Sequence, residues 1–449
     1  MHTLAVARAV RGIEPLVAAE IRRAGLGVVR GVRHREVWFE TADPGPELLG
    51  LRMADDVLLV AAVVEGIGRD REALGRLARA ARQLDAESLT KLAHQITDRT
   101  TDRPYGVLDG GMRDALPGGV LEGDLPYGVR DGGVLDSVRD GGVLDGGPPY
   151  SVRGGGVEVS ASFVGRRNYS RFDIEDAVGA ELARPLGLPY HSRRDGRVPP
   201  EGSTAWRVTV EDGQAVIALR VPARPLHRRP YKTESVPGTL HPPVAAAMAV
   251  LARLDRAGTV LDPCCGAGTT LIEARALAPH ARLLGFDHDP RAVHVAAANA
   301  ARAAADAITS AHTGRTSTRG GIDRAAPPTG RIPTTGATTS AHPSRSPATG
   351  GIAWGVADAG RLPLPDGSVD RVLVNPPWDR QVAPSGRLRR DPGHLWREIH
   401  RVLAVDGTVV ALIPEAWQPP GFGVDRVIHL TLSGRHPVVA VLRRSASRG

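Results

Sequence analysis

The sequence predicts an α/β protein with two unlike halves, and three observations carry that prediction. A strand, a glycine-rich loop and a helix follow one another between Thr259 and Leu271, the local order of a parallel β-α unit. The first 64 residues read as short strands and helices in the order β-α-β-β-α-β. Between the halves runs a proline-stiffened, strongly basic segment, Arg224 to Lys232.

Taken in order, residues 3–8 form a strand, and Ile13, Leu16, Val17 and Ile21 then fall at helical spacing. Pro15 in the first turn and Gly25 past the end mark the helix boundaries. Strands near 27–33 and 36–40, a short helix at 46–53 and a continuous apolar strand from Val57 to Val64 complete a ferredoxin-like unit, assigned to 1–70. A helical, arginine-rich segment follows from about 72 to 97. From about 100 to 156 the chain repeats itself (Arg130–Asp136 recurs at Arg139–Asp145) and is rich in glycine with few apolar side chains. Such a tract cannot offset the entropy of ordering, so a disordered insertion is expected there.

Val157, Val159 and Ala161 alternate as a strand that leads into a basic turn containing Arg166, Arg167, Tyr169 and Arg171. Asp173 is the expected N-cap of a helix whose buried stripe is Ile174, Ala177, Val178 and Leu182. Trp206, Val208 and Val210, an Asp212-Gly213 turn, then Ile217, Leu219 and Val221 predict a β-hairpin. This strand–basic-turn–helix–hairpin order resembles the THUMP domain, an RNA-binding module, here assigned to 71–225. The resemblance implies that Arg166, Arg167, Tyr169 and Arg171 contact RNA, with Arg228 and Arg229 of the linker (226–242) beside them.

Composition narrows the function classes. The net charge is +8 and the pI about 10.1, a balance that favours a polyanionic partner. Lys91 and Lys232 are the only lysines, so arginine carries nearly all of the positive charge. The two cysteines, Cys264 and Cys265, are adjacent, which excludes a disulfide framework and a cysteine metal cage, and no metal is expected. No apolar stretch reaches the length of a membrane span, and Arg8 and Arg11 interrupt any signal-peptide core, so a reduced cytoplasm is expected.

The chemistry sits in the second half, 243–449. His241-Pro242-Pro243 opens a helix with Val244, Ala247, Met248 and Leu251 on one face. The loop after Thr259–Asp262 carries Gly266, Gly268 and Thr269, and its exposed N–H groups favour an anionic group. A dinucleotide fingerprint would need glycine where Leu271 stands, and Asp262 would repel a pyrophosphate. Asp262 suits a ligand with an ammonium beside a carboxylate, such as the methionyl end of S-adenosylmethionine. Asp287 ends the next strand, 25 positions after Asp262 (287 − 262), where an acid accepts ribose hydroxyls. His288 follows as a loop residue near the adenine, and Asp358 is placed to accept from the adenine amino group. A second low-complexity insertion is expected at about 303–352.

The strand Val369–Val374 then stops at Asn375-Pro376-Pro377-Trp378. Proline ends the strand in a stiff, extended loop. The Asn375 amide oxygen and the Pro376 carbonyl can converge on one planar NH2 group, and Trp378 offers a face on which a base stacks. Asp262 to Thr270, Asp287, Asp358 and Asn375 to Trp378 occur in the order of class I S-adenosylmethionine-dependent amino-methyltransferases. With the front half, the chain resembles the THUMP-containing tRNA (guanine-N2-)-methyltransferases and their large-subunit rRNA relatives; Asp379 departs from the glycine those relatives often carry. The resemblance implies a Rossmann-like, seven-stranded, mostly parallel sheet, S-adenosylmethionine as cofactor and tRNA, or less readily rRNA, as partner. It implies methyl transfer to a guanosine N2, in tRNA at the sixth nucleotide. Adenine-N6 methylation of DNA, glutamine methylation of protein and a non-catalytic RNA-binding protein are the alternatives.

Overall fold

The computed structural model describes residues 2–98, 155–316, 351–377, 382–415, 419–432 and 434–445. Most of the first insertion, and the second from residue 317 to 350, lie outside them.

The front half is one seven-stranded sheet. Strands β1 (Thr3–Arg8), β2 (Val28–Arg33), β3 (Glu36–Thr41) and β4 (Asp56–Val64) pair antiparallel in the spatial order β2-β3-β1-β4, with helix α1 (Glu14–Arg23) between β1 and β2. This is the ferredoxin-like arrangement, except that the second helix is a single 3-10 turn, Pro46–Gly50. Its proline start and terminal glycine leave room for only one turn. The sheet continues past β4 into β7 (Gln214–Arg220), β6 (Thr204–Glu211) and β5 (Val157–Phe163), with β5 and β6 parallel.

The arginine-rich stretch forms two helices, α2 (Glu72–Arg82) and α3 (Ala86–Asp98), broken at Gln83–Asp85. Helix α4 (Arg171–Leu186) begins one turn earlier than the sequence suggests. Ser170 is its N-cap, and Asp173, the expected cap, instead completes a capping box from the N3 position.

The second half begins with α5 (Pro242–Leu251). The sequence suggests one apolar face, but all ten residues are buried. The reason is its position: a single core runs from Ile13, at the N-cap of α1, and Leu16 through Val244–Leu251 to Leu271 and Leu283, so α5 is packed between the halves. Its alanines allow close approach on every side.

Behind α5 lies a second seven-stranded sheet. Its strands are β8 (Thr259–Asp262), β9 (Arg282–Asp287), β10 (Ile352–Val356), β11 (Val369–Val374), β12 (Leu403–Pro414), β13 (Phe422–His429) and β14 (Pro437–Arg444). They lie in the order β10-β9-β8-β11-β12-β14-β13, and only β14 runs antiparallel to its neighbours. Helices α6 (Thr269–Leu277), α7 (Pro290–Thr316) and α8 (Gly393–Val402) complete the domain. Helix α7 runs well into the stretch read as the second insertion, because alanine-rich 300–307 favours helix. Chain order reverses between β8 and β11, and in such sheets ligands bind in the crevice at the carboxyl ends of these strands. No helix among the described residues is long and apolar enough to cross a membrane.

Candidate active site

Asp262, Asp287 and Asn375 stand at or just past the carboxyl ends of β8, β9 and β11, and all three line one cavity of about 450 Å³. Asp358, after β10, lines it too, as do Gly266, Thr269, His288, Pro376 and Pro377. The residues that sequence spacing singles out along more than a hundred positions therefore meet in one crevice.

The glycine loop is held from both sides. Cys265 N–H donates to the Phe286 carbonyl at 2.8 Å, and Gly266 N–H donates to Asp287 Oδ2 at 2.9 Å. Gly268 has φ +81°, and a Cβ there would come within 2.8 Å of the Trp354 ring and 3.0 Å of Ala296 Cβ. Only glycine fits that turn. It aims the N-terminus of α6 at the cavity, and Gly268 itself packs beneath the lining.

Asp262 is almost fully buried. Its Oδ1 accepts from Cys264 N–H at 3.0 Å and its Oδ2 from the Thr270 hydroxyl. Burial pushes its carboxyl up to about 7; these hydrogen bonds oppose the shift and the charge of Asp287 adds to it. Asp287 Oδ1 accepts from Asp289 N–H at 3.0 Å and lies 3.3 Å from His288 Nδ1. Asp358 accepts from Gly360 N–H (2.8 Å) and Arg387 N–H (3.1 Å).

Asn375 Nδ2 donates to the Gly238 carbonyl at 3.2 Å. That contact fixes the orientation of the amide against the Gly238 turn. Trp378, with Asp379, lies outside the described residues. Gly238 belongs to a turn, Val236–Thr239, that sequence reading treats as mere linker. Val236, Thr239, Ser385 and Arg435 also line the cavity. No local motif marks them, since they arrive from segments distant in sequence.

The residues fit an adenosyl-sulfonium cofactor. Thr269 Oγ1 is buried on the cavity wall with no hydrogen-bond partner among the described residues, an orphan that a ligand would satisfy.

The basic residues divide. Arg166, Arg171 and Arg228 are exposed. Tyr169 is not: its ring is buried and its hydroxyl donates to the Gly68 carbonyl at 2.9 Å, so it anchors the turn and does not meet solvent. Arg167 donates to the carbonyls of Ile67 and Gly68, each at 2.9 Å, which commits much of its guanidinium to the chain. Arg229 is also turned inward, onto the fully buried Glu273.

Residues 229–317 match the family model described as UPF0020: RMKL-like, methyltransferase domain. The matched residues run from the linker through α5, β8, α6, β9 and α7. A tRNA (guanine(6)-N2)-methyltransferase of Thermus thermophilus is 30% identical over 139 residues, 31% of this chain and 39% of that protein. A ribosomal RNA large subunit methyltransferase K/L of Aliivibrio fischeri is 31% identical over 115 residues, 24% of this chain and 15% of the relative. The matched segments thus span well under half the length of these curated relatives. Across the whole chain, the fold is similar to that of TrmN from Thermus thermophilus, with TM-score 0.59, 24% identity and coverage of 99% of this chain and 100% of that one. It is also similar to SMU.472, whose structure was solved in complex with SAH, with TM-score 0.57, 15% identity and coverage of 100% and 99%. The front sheet and the second sheet therefore recur together in both solved structures.

Proposed function

We propose that this protein uses S-adenosylmethionine to methylate the exocyclic N2 amine of a guanosine in RNA, with tRNA, at position 6, as the preferred substrate. The observation that carries the proposal is the placement of Asn375 in the same cavity as the glycine loop and Asp287, its amide nitrogen already committed to Gly238. The relative named as a tRNA (guanine(6)-N2)-methyltransferase supports the substrate. The K/L relatives, named for ribosomal RNA, support rRNA as the second reading.

When bound, S-adenosylmethionine supplies an electrophilic methyl group on a sulfonium. The chain does the rest by holding and orienting. Asp262 and the N-terminus of α6 would hold the ammonium and carboxylate of the methionyl end, Gly266 and Gly268 shape the loop, Asp287 would accept from the ribose hydroxyls, and Asp358 with His288 would border the adenine. The lone pair of a guanine amino nitrogen is delocalised into the ring and attacks poorly. Asn375 Oδ1 and the Pro376 carbonyl would accept its two N–H bonds, drawing the nitrogen toward tetrahedral geometry and orienting it toward the cofactor's methyl group. Trp378 receives the base, which has left its stack. The front half, as ferredoxin-like and THUMP-type modules, grips the RNA through exposed arginines such as Arg166, Arg171 and Arg228.

The test is methyl transfer from tritiated S-adenosylmethionine to total tRNA, rRNA, DNA and protein, followed by nucleoside analysis. N2-methylguanosine in tRNA is expected, and label in rRNA alone would favour the second reading. Label confined to DNA or protein would sink the proposal.

A further inference from the structure

Three side chains far apart in sequence meet where the front sheet joins the methyltransferase domain. Asp55 immediately precedes β4, His227 lies in the linker and His241 stands at the N-cap of α5. A carboxylate oxygen and one ring nitrogen from each histidine all lie within 4.8 Å of one another. The imidazoles stack with centroids 5.2 Å apart.

Ordinary hydrogen bonding does not account for this cluster. His241 Nε2 stands 3.6 Å from Asp55 Oδ1, beyond hydrogen-bond range. Asp55 Oδ1 and His241 Nδ1 are both buried with no hydrogen-bond partner among the described residues. His227 Nδ1 lies 3.2 Å from the Asp55 carbonyl oxygen, so it donates there, and its Nε2 keeps the lone pair. Donation from one ring nitrogen to a backbone carbonyl is how metal-ligating histidines are oriented. His227, Lys232, Arg229 and Arg35 all stand near His241.

We propose that Asp55, His227 and His241 bind a divalent transition-metal ion at this junction, with zinc the best match. Two imidazoles and one carboxylate suit zinc and exclude magnesium and calcium, which take oxygen ligands. Three protein ligands leave the fourth position to water. Arg35, 3.7 Å from the other Asp55 oxygen, and the nearby cations oppose any added positive charge, so strong nitrogen ligation has to outweigh them. The site sits beside the catalytic cavity: His241 lines it, and Gly238, three residues earlier, holds Asn375. A bound ion would pin the lead-in to β4, the linker and α5 together. The sequence expectation of no metal rested on the paired cysteines. These ligands are 172 and 14 residues apart (227 − 55 and 241 − 227), a spacing that no metal motif marks.

The test uses the full chain stripped with chelator and dialysed. Zinc chloride titrated calorimetrically should bind one ion per chain and raise the melting temperature, and both effects should vanish in Asp55→Asn and His227→Ala. Cobalt(II) should give d–d absorption without a thiolate charge-transfer band, a wild-type readout that decides the matter even if a variant fails to fold. No zinc uptake by the wild-type chain, equal uptake by both folded variants, or a thiolate band placing the ion on Cys264 or Cys265 would each overturn the proposal. None of these outcomes bears on the methyl-transfer reading, which rests on other residues.

Discussion

Arg229 Nε donates to Glu273 Oε1 at 3.0 Å, and Glu273 is completely withdrawn from solvent. Arg52, from the front half, donates to Oε2 at 2.9 Å, and the Tyr231 hydroxyl donates to Oε1 at 2.8 Å. One carboxylate on α6, the helix that follows the glycine loop, thus joins the front sheet, the linker and the cofactor side of the domain.

Replacing Glu273 with alanine leaves Arg52 and Arg229 facing a buried site without a counter-charge. The expected loss is about 3–5 kcal/mol of unfolding free energy, read by urea denaturation at neutral pH. Burial raises the Glu273 carboxyl, but Arg229 and Arg52 outweigh it and the net shift is downward. A lowered carboxyl stabilises above its unfolded value, about 4.5, and loses that contribution as pH falls through the folded value. The gap between wild type and variant should therefore narrow in acid. A gap unchanged down to pH 2 would argue against the ion cluster.

Asn375→Ala should leave S-adenosylmethionine binding nearly intact and slow methyl transfer by about 10²–10³-fold, the usual effect of removing one positioned hydrogen-bonding group. Calorimetry of cofactor binding and single-turnover transfer to RNA separate the two. Unchanged turnover would remove the amine clamp from the mechanism.

Asp262 titrates near neutrality, at about 7, because it is buried. Its folded value lies above its unfolded one, so its contribution to stability is full below about pH 4 and fades as pH rises to 7, a difference on the order of 4 kcal/mol at most. Cofactor affinity should climb over the same upper range as the carboxylate ionises to meet an ammonium. Asp262→Asn should flatten both pH profiles, measured by thermal melts and by cofactor titration from pH 5 to pH 9. A wild-type affinity independent of pH would show that Asp262 only braces the loop.

Substitutions in the basic turn separate packing from the proposed RNA contact. Tyr169→Phe removes the hydroxyl's donation to the Gly68 carbonyl and its acceptance from Arg167, so it should cost on the order of 1 kcal/mol of stability and leave RNA affinity unchanged. Arg166→Ala with Arg171→Ala should leave stability alone and weaken RNA binding. The slope of log affinity against log salt should fall by about 1 for each arginine lost. RNA affinity that follows Tyr169 and ignores the arginines would reverse the assignment.

Local features were legible before any coordinates. The strand from Thr259 to Asp262, the loop that needs Gly268 and the stop at Asn375-Pro376 follow from periodicity and backbone restriction, which act within a few residues. The misreadings share one cause. Arg229 reads as an RNA contact because it sits in a basic run, and Tyr169 because it stands among arginines; both are turned inward by partners that sequence proximity does not reveal. Helix α5 reads as amphipathic because nothing in its ten residues says that two modules would enclose it.

The amino-acid order by itself determined the α/β class, the glycine loop after β8, the acid that ends β9 and the amide–proline corner, since each is short-range chemistry written in adjacent residues. Tertiary structure alone decided that Gly238 meets Asn375 across 137 positions, that Glu273 gathers two arginines, and that Asp55 joins two histidines at the junction. Those pairings depend on which charges and polar atoms are buried together, and burial is a property of the packed chain that no local spacing encodes.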